Sequence, residues 1–444
     1  MPPEYYDVII IGGGPAGCAT ALSISQIDSS KLLRILVIDD TECIAHKIGE
    51  SLPAAARLAL VTLHPDLLRR LTQDTTDGRH EVCTGTASSW SSPKLHETFA
   101  LMSPYGSGWH LDRVHFDDTL RETCGPIVRK GKFIALRRMC AGTGDASPFV
   151  GWEIDVHFAG NSGIEMCRTR WLVDATGRKA SAAHEIGAKM QKHCDLLAFY
   201  LVLNRIDYAD RIEAASGTAR GQEIHDTDPR TLIEASSSGW WYSVRLPHGR
   251  RLFMYTTSPY DPTARIARRT DGFLDMIRSQ TTHISQALGD ETLPLYECAA
   301  TTGEFTHHTA AGSSALCPPG SWEPVAGTEA DEQGRGWCSV GDAALAFDPL
   351  SSQGIITALQ SGALLGSVLA RHLIARDNSS PNPHPAVSGA QVVQTVLDSY
   401  RRVQMKYEDE RAYYYATVKR FDAAPGGDGE KYSSFWKQQA TRRT

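Results

Sequence analysis

The sequence predicts an α/β fold in which a Rossmann-like domain with a GxGxxG turn is interrupted by an inserted strand-rich domain and followed by a C-terminal helical region. Residues 6–11 (YDVIII) form a continuous apolar, β-branched run, typical of a strand buried on both faces, and a glycine-rich turn follows at once. Residues 196–256 are rich in aromatic and β-branched residues, which favours strands. The chain has 444 residues, about three times the length of a typical domain, which leaves room for this division.

The other elements are expected in order along the chain. A helix up to residue 27 and a second buried strand at 35–38 (ILVI) complete a βαβ unit. The patterns further predict a helix over 52–72, strands and loops over 83–109, a helix over 112–124, short strands over 126–175, a strand at 336–340, a long helix after Gly354 and a last helical region over 391–421. Polar, Gly- and Pro-rich composition predicts a loop over 311–336 and a linker over 376–390, and we expect a frayed C-terminus.

Composition and charge exclude several classes of protein. Apolar residues make up 41% and charged residues 22%, which is typical of a globular protein and excludes a disordered or coiled-coil chain. The net charge of −6 leaves no basic surplus to neutralise a phosphate backbone, so nucleic acid is not an expected partner. The ten cysteines form no CxxC pair and no zinc-like cluster, so no metal site is predicted.

The N-terminal region predicts a cytoplasmic protein that does not associate with a membrane. The first strand begins near Asp7, which leaves no room for a signal peptide ahead of it. The uncharged run 8–27 is long enough to resemble a membrane span, but its first half contains glycines and a proline. We interpret it as a nucleotide-binding turn.

The turn has the spacing of a dinucleotide-binding motif. Gly12 permits a tight turn, Gly14 lets backbone N–H groups approach a pyrophosphate, and Gly17 lets the helix pack on the strand. The helix that begins at Pro15 and Ala16 offers unpaired N–H groups and a positive dipole to phosphates. At the end of the second strand, Asp39 can accept hydrogen bonds from ribose hydroxyls. This motif alone does not separate NAD from FAD.

Three later segments resemble one family of flavoproteins. Residues 47–53 read KIGESLP, residues 109–120 read WHLDRVHFDDTL, and residues 341–354 read GDAALAFDPLSSQG. Together they resemble the flavoprotein monooxygenases of the aromatic-hydroxylase fold, in the branch that contains the flavin-dependent tryptophan halogenases. The resemblance extends from residue 6 to about residue 370.

The resemblance implies FAD as the cofactor and assigns residues to it. Asp342 would hydrogen-bond the ribityl chain, and Arg113 would contact the cofactor. Glu50 and Ser51 would border the isoalloxazine ring, and the turn 174–178 (DATGR) would lie near FAD. The loop from Pro349 to Gly354 and the following helix N-terminus would face the flavin pyrimidine, where a positive helix dipole stabilises reduced flavin; the residues assigned there are Pro349, Gln353, Gly354 and Ile355.

Two departures from the halogenase pattern favour oxygen insertion over halogenation. In this fold, reduced flavin and O2 give a C4a-hydroperoxide. In halogenases a halide ion attacks this hydroperoxide, and the resulting hypohalous acid reaches a lysine roughly 30–35 positions after the Gly-Glu-Ser/Thr motif. No lysine occurs here between Lys47 and Lys94, and the expected position lies near Cys83. The halogenase WxWxIP motif is replaced by GWWYSVRLP at 239–247.

The aromatic segments resemble those of the flavoproteins that mature tryptophylquinone cofactors by hydroxylating a tryptophan within a partner polypeptide. The resemblance implies an amine-dehydrogenase-type subunit with a precursor tryptophan as the substrate. An aromatic-walled pocket would stack on an indole, although aromatic residues in strands more often belong to a core. The residues predicted to bind substrate are Trp90, Trp109, Trp240, Trp241 and Tyr242.

Hydroxylation of an indole needs a group that removes a proton. His110, Glu50 and Asp195 are the candidates by residue type, and His110 ranks first because histidine titrates near neutrality. A structural histidine is the alternative. The electron donor is left open between NAD(P)H and a separate flavin reductase.

The predicted domains follow from these assignments. A discontinuous FAD-binding domain would consist of residues 1–82, 110–190 and 296–375, a substrate-binding domain of 83–109 and 191–295, and a linker and C-terminal helical region of 376–444. Four functions stay open: the peptidyl-tryptophan monooxygenase, a hydroxylase or halogenase of a free small aromatic, a reductase of prenyl double bonds, and a flavin-binding docking module without catalysis.

Overall fold

The first strand and the helix that follows it form as the sequence predicts. The computed structural model describes residues 3–40, 46–140, 149–206, 226–289, 291–299, 302–320, 328–330, 335–376, 387–421 and 435–440. Two compact units divide the chain: the first comprises Met1–Gln73, Arg113–His193 and Ser313–Tyr407, and the second comprises Asp74–Asp112, Cys194–Gly312 and Glu408–Thr444. Most of the predicted linker, 377–386, and part of the predicted C-terminal region, 422–434, lie outside the described residues.

The described strands and helices are numbered here in chain order. The strands are β1 Glu4–Ile11, β2 Ile35–Asp39, β3 Ser51–Leu52, β4 His80–Cys83, β5 Gly85–Ser89, β6 His96–Phe99, β7 Gly108–Leu111, β8 Val128–Cys140, β9 Phe149–Phe158, β10 Glu165–Asp174, β11 Lys189–Lys192, β12 Leu197–Arg205, β13 Thr231–Ser236, β14 Gly239–Leu246, β15 Arg250–Thr257, β16 Tyr296–Glu297, β17 His307–Ala310, β18 Ser314–Cys317, β19 Thr328–Ala330, β20 Gly336–Ser339 and β21 Leu345–Ala346. The helices are α1 Pro15–Ile27, α2 Ala56–Leu63, α3 Pro65–Thr76, α4 Arg113–Cys124, α5 Ser181–Ile186, α6 Thr263–Ala267, α7 Thr270–Gln280, α8 His283–Leu288, α9 Gly354–Arg376 and α10 Gly389–Thr417.

The first unit is built on a sheet whose central strands β8, β2, β1, β10 and β20 run parallel. Strands β9 and β19 are antiparallel to their neighbours. In the register, Ile11 lies opposite both Ile38 and Asp174, and Asp174 lies opposite Ser339. The carboxyl ends of β1, β2, β10 and β20 therefore meet at one edge of the sheet, the usual place for a ligand in such folds.

Helix α9 packs closely against α1 because small residues line their contact. A Cβ atom added at Gly362 would lie 2.3 Å from the carbonyl oxygen of Ala16, and one at Gly366 would lie 2.4 Å from that of Thr20. Glycine at these positions lets the two backbones approach. Helix α9 is also the single described helix that is long and apolar enough to cross a membrane, and 56% of its apolar window is buried inside the structure.

The second unit contains a sheet of order β16-β12-β15-β14-β13-β5-β6, with β17 also paired to β12. Its pairs are antiparallel except for the parallel pair of β5 and β13. Almost every residue of β14 is buried, which is why its sequence reads as an aromatic and aliphatic run without alternation. Apolar residues of α6, α7 and α8 cover one face of this sheet, among them Ala264, Phe273 and Ile284.

The prediction of a single helix over 52–72 is wrong. Two helices, α2 and α3, are separated at His64, whose φ of −165° and ψ of 132° are extended. Pro65 explains the break, since a proline disfavours helical geometry at the preceding residue but is well suited to the first position of a new helix.

Two further expectations need correction. The segment 311–336, predicted as a loop, contains the buried strand β18, which pairs with β11 and β21, and the short strand β19. Its polar composition concealed a strand that is buried by its partners. The chain end predicted to be frayed includes residues 435–440, which are helical, and Trp436 among them is 2% exposed.

Candidate functional site

The glycine turn after β1 is held by contacts that leave no room for side chains. Gly12 has a φ of +110°, and a Cβ atom there would lie 2.3 Å from the carbonyl oxygen of Ala175. A Cβ atom at Gly17 would lie 1.9 Å from the carbonyl oxygen of Gly12. These two glycines therefore serve the tight turn and the docking of α1 that the motif predicts.

The N-terminus of α1 is open in the way that an anion site requires. Gly14 is the N-cap residue, no side chain caps the helix, and Pro15 occupies the first turn. A Cβ atom added at Gly14 would meet nothing within 4 Å. Unpaired N–H groups at a helix N-terminus attract phosphate, so the backbone around Ala16 fits the pyrophosphate of a dinucleotide.

Asp39 is fixed beside this turn at the end of β2. Its Oδ1 accepts a hydrogen bond of 3.2 Å from the Gly13 backbone, and its Oδ2 lies 3.5 Å from Nε of Arg121. The Arg121 Nη1 donates to the Gly13 carbonyl at 3.2 Å, so α4 is tied to both sides of the turn. The charges of Asp118 and Asp39 raise the pKa of Arg121 against the effect of its burial.

The loop of residues 47–50 is held by a buried carboxylate. Arg113 donates from Nη1 to the carbonyls of Ile48 and Gly49 at 3.1 and 3.0 Å, and its Nε and Nη2 both contact Asp117 at 3.2 Å. Lys47 forms a second ion pair with Asp117, which is 1% exposed. Burial acts to raise the pKa of Asp117, but the charges of Arg113 and Lys47 outweigh it and hold that pKa below its ordinary value.

This network also orients the residues predicted to border the flavin ring. Glu50 is 2% exposed, and its Oε2 accepts a hydrogen bond of 2.9 Å from the backbone of Gly49, whose φ is +96°. Ser51 begins the short strand β3 and is half-buried. Arg113 uses its guanidinium to hold the loop, and its predicted contact with a cofactor stays a prediction.

The segment 341–355 follows β20 at the same sheet edge. Asp348 is 1% exposed and accepts a hydrogen bond of 3.0 Å from the backbone of Leu350, which fixes the turn that starts at Pro349. Gln353 and Gly354 are exposed, and Ile355 is buried, so α9 begins at the surface of the first unit. A long helix that starts at an exposed glycine presents its N–H groups and positive dipole outward.

Two carboxylates lie at the carboxyl edge near this segment. Asp342 lies 3.5 Å from Nε of Arg178; burial raises the pKa of Asp342, and the Arg178 charge opposes that rise. Asp174 is fully buried and accepts hydrogen bonds from the Thr176 hydroxyl and the Ala183 backbone, both at 2.7 Å. Asp174 therefore shapes the DATGR turn from inside.

The structure brings the first and third motifs into contact although they are far apart in sequence. A Cβ atom at Gly341, whose φ is +60°, would lie 2.8 Å from Cβ of Ala16. The Val340 backbone donates to the Asp174 carbonyl at 2.9 Å, and that of Ala175 donates to Ile11 at 2.8 Å. Three separate segments, residues 11–16, 174–175 and 340–341, thus form one continuous edge of the first unit.

His110 lies in the second unit and is completely buried. Its Nε2 lies 3.0 Å from the Thr231 hydroxyl, which in turn lies 3.7 Å from Sγ of Cys83. Burial lowers the pKa of His110 to about 3, and the charges of Arg251 and Arg245 act in the same direction. His110 is therefore neutral at neutral pH and a weak base, and its catalytic role stays a prediction.

The predicted substrate-binding aromatic residues also lie in the second unit, and most of them are buried. Trp241 stacks on Tyr255 at 4.5 Å and belongs to the core under α7. Trp109, Trp240 and Tyr242 are 3%, 0% and 5% exposed, while Trp90 is half-buried. Burial supports the core interpretation for Trp241. The third candidate base, Asp195, is half-buried just before β12.

Sequence reasoning missed Asp117 and Arg121 as parts of this site. Both lie on one face of α4 with Arg113, at spacings of four residues, and the i,i+4 pair of opposite charges was the available signal. The spacing does not show that their partners are the glycine turn and the 47–50 loop, because those contacts depend on the packing of α4.

Comparison with known proteins gives the fold a context. No protein-family model matches the chain. LodB of Marinomonas mediterranea, described as an FAD-dependent oxidoreductase, is 25% identical over 368 residues, which are 81% of this chain and 83% of LodB. The structure of the myxobacterial chondrochloren halogenase CndH, an FAD-dependent halogenase, superposes with a TM-score of 0.68 at 19% identity and covers 99% of this chain and 91% of CndH.

A third protein shares the fold. The structure of QhpG, a peptidyl tryptophan dihydroxylase essential for tryptophylquinone cofactor biogenesis, gives a TM-score of 0.61 at 18% identity, with 98% of this chain and 79% of QhpG covered. The predicted fold class is confirmed: the chain has the α/β fold of the FAD-dependent halogenases and flavin monooxygenases.

Proposed function

We propose that the protein is an FAD-dependent monooxygenase that inserts oxygen from O2 into an aromatic ring, and that the ring is the indole of a tryptophan side chain in a protein substrate. One observation carries the cofactor assignment: the open N-terminus of α1 at Gly14 lies in the same edge as Gly341, which contacts Ala16. An anion site at a helix N-terminus and a second segment that resembles flavin-binding motifs thus meet where folds of this kind bind a dinucleotide.

Different residues of this edge would bind different parts of FAD. The backbone at Gly14, Pro15 and Ala16 would bind the pyrophosphate, and Asp39 would bind the adenosine ribose. The segment 341–355 would hold the ribityl chain and the ring. When held by these residues, FAD would supply the electrons with which one atom of O2 enters the substrate and the other leaves as water.

The substrate assignment is supported by three observations. No lysine occurs between Lys47 and Lys94, so the residue that halogenases use to carry the halogen is missing from the expected position. The aromatic segments of the second unit resemble those of the tryptophan-modifying branch, and QhpG shares the fold. LodB is a relative with a flavin-dependent redox function in its name. We infer that the protein modifies a tryptophan during maturation of a quinone cofactor.

The partners follow from this proposal. The substrate would be an amine-dehydrogenase-type subunit that carries a precursor tryptophan, and O2 would be the oxidant. NAD(P)H or a separate flavin reductase would supply the electrons. The reaction would take place in the cytoplasm, before the quinone-bearing subunit leaves its site of synthesis.

The second candidate is a hydroxylase or halogenase of a free small aromatic compound. The fold shared with CndH over 99% of this chain favours it. It predicts turnover on free indoles or phenols without a protein partner.

One aerobic turnover separates the candidates. FAD-loaded, chemically reduced protein is mixed with free tryptophan, tryptophan-containing peptides and an immature amine-dehydrogenase subunit in buffer with chloride and bromide, and products are identified by mass spectrometry. We expect oxygen on the peptidyl tryptophan alone. A halogen isotope pattern or oxygen on free indoles would establish the second candidate, and bound FAD without any product would indicate a docking module.

A further inference from the structure

Residues 435–440 in the second unit bury two aromatic side chains almost completely. They form a short helical segment in which Phe435 is 4% exposed and Trp436 is 2% exposed.

The indole of Trp436 lies in a socket of complementary chemistry. Its Nε1 donates a hydrogen bond of 3.0 Å to the carbonyl of Ser236, the last residue of β13. Trp90 meets it edge to face at 5.2 Å and 89°, and Phe421 stacks on it at 6.4 Å and 15°. Tyr415 lies 5.8 Å away on a third side. We call Trp90, Ser236, Tyr415 and Phe421 the indole socket.

The socket selects an indole over other aromatic side chains. Phenylalanine would fill the aromatic walls but leave the Ser236 carbonyl without the donor, and a buried acceptor that loses its donor carries a cost. Tyrosine carries its hydroxyl group at the far end of the ring, a position at which an indole has no polar group. A flat side chain with an N–H on its edge satisfies both the walls and the carbonyl.

The walls of the socket are held by contacts that do not involve Trp436. The Trp90 Nε1 donates to the Tyr414 carbonyl at 2.8 Å, and the Trp240 Nε1 donates to the Tyr415 hydroxyl at 3.1 Å. Arg420 donates to the carbonyls of Ser89 at 3.0 Å and Ala235 at 2.6 Å, beside the floor of the socket. Trp90 and Tyr415 are therefore held by contacts of their own, independently of Trp436.

The segment that carries Trp436 is also held by Arg411 and by a second buried aromatic side chain. Nη1 of Arg411 donates to the Gln439 carbonyl at 2.9 Å, and its Nη2 contacts the Gln439 side-chain oxygen. Phe435 is 4% exposed and lies 6.5 Å from Tyr415. A second polypeptide with a tryptophan can replace this indole if its own contacts make up for those that the displaced segment loses.

We propose that the indole socket is a binding site for a tryptophan side chain of the protein substrate, and that Trp436 occupies it until that substrate arrives. The identity of the ligand rests on the proposed function. Because Trp90 belongs both to the socket and to the residues predicted to bind substrate, the segment 435–440 blocks a substrate surface. An occupant on the same chain competes at an effective concentration of roughly millimolar order.

A peptide that copies residues 431–444 tests the proposal without flavin or turnover. The labelled peptide is titrated by fluorescence anisotropy into the full chain, into full-length Trp436→Ala, and into a chain that ends at residue 430. Removing the resident indole should tighten peptide binding at least about tenfold, because the competing segment is lost. The same peptide with Trp436→Ala should not bind. Trp241→Ala is the matched control, since it removes an equally buried indole from the core under α7.

Three results would overturn the proposal. In the first, neither Trp436→Ala nor the truncated chain binds the peptide, although the melting temperature of each stays within a few degrees of that of the full chain. The second is loss of the folded state in both, which would make Trp436 a core residue. The third is an equal gain in binding by Trp241→Ala. Peptide binding combined with no oxidised tryptophan in the single-turnover experiment above would contradict the proposed function and leave the socket standing. Oxidation of peptidyl tryptophan by a chain whose socket does not bind the peptide would do the reverse.

Discussion

At the scale of single residues, the structure changes the interpretation of His110. Its imidazole is fully buried beside Thr231, and burial lowers its pKa to about 3, so it carries no charge at the pH where histidines usually titrate. A group with this pKa stays deprotonated from pH 5 to pH 8, so its titration cannot change the reaction rate in that range. We expect His110→Gln to leave the shape of the pH–rate profile for substrate oxidation unchanged in that range. A bell-shaped pH–rate profile that loses its limb near neutrality in the variant would support the prediction that His110 is the base.

The same shift predicts how stability depends on pH. The pKa of His110 is lower in the folded state than the ordinary value of about 6.5, so the unfolded chain binds the extra proton and stability is lost as pH falls below about 6.5. Between pH 6.5 and pH 5 this one group should remove about 2 kcal/mol from the free energy of unfolding. Denaturant unfolding of the protein and of His110→Gln at both pH values measures it, and equal pH slopes would contradict the buried, neutral state.

The contribution of Asp117 to the free energy of unfolding depends on the charged side chains with which it forms ion pairs. In Asp117→Asn the buried guanidinium of Arg113 loses its counter-ion, so we expect the free energy of unfolding to fall by about 3 kcal/mol. We also expect weaker FAD binding, because Arg113 then holds the 47–50 loop less firmly. Asp118→Asn is the control: its ion pair with Arg121 is largely exposed on the Asp118 side, and its loss should cost less than about 1 kcal/mol.

The pH dependence gives a second check on Asp117. Its pKa is lowered in the folded state, so its stabilising contribution is complete above the unfolded value of about 3.9 and is lost as pH falls through the folded value. The stability difference between the protein and Asp117→Asn should therefore persist from pH 8 to pH 5 and shrink only below about pH 4. A difference that shrinks already near pH 6 would mean that another group is titrating.

At the scale of elements, the glycines of α1 separate ligand binding from packing. A methyl group at Gly14 meets nothing within 4 Å, so Gly14→Ala should change the unfolding free energy of the cofactor-free protein by less than about 1 kcal/mol. It should raise the Kd for FAD at least about tenfold, because the methyl group enters the space that the pyrophosphate needs.

The matched variant is Gly17→Ala. Its methyl group would lie 1.9 Å from the Gly12 carbonyl oxygen, so it should cost about 1–3 kcal/mol in the cofactor-free protein itself. Thermal unfolding without FAD and fluorescence titration with FAD distinguish the two. Equal loss of stability in both variants, or unchanged FAD affinity in Gly14→Ala, would contradict the assignment of α1 as the phosphate site.

The elements that the sequence predicts well are those with a strong periodic or glycine signal. Strand β1, helix α1 and the start of α9 at Gly354 are of this kind. Pro65 is a sequence signal for the break, but the apolar pattern continues through this position and indicates a single helix. Strand β18 could not be predicted because its burial comes from pairing with β11 and β21, which lie far away in sequence.

At the scale of the whole molecule, the candidate site depends on chain segments that only the fold brings together. The first unit is assembled from three stretches of sequence, the last of which begins at Ser313. Motifs identify the glycine turn, Asp39 and the 341–354 segment one by one. They cannot show that Arg121 clasps the turn or that Arg113 turns toward the 47–50 loop, because these contacts require the position of α4.

The central claim, that the protein is a flavin monooxygenase, has one direct test. FAD-loaded protein is reduced, given the peptidyl-tryptophan substrate and exposed to ¹⁸O2 in ordinary water, and in a parallel reaction to ordinary O2 in H2¹⁸O. The account predicts heavy oxygen on the tryptophan ring in the first reaction and none in the second. Heavy oxygen from water, or a modified product formed without O2, would contradict it.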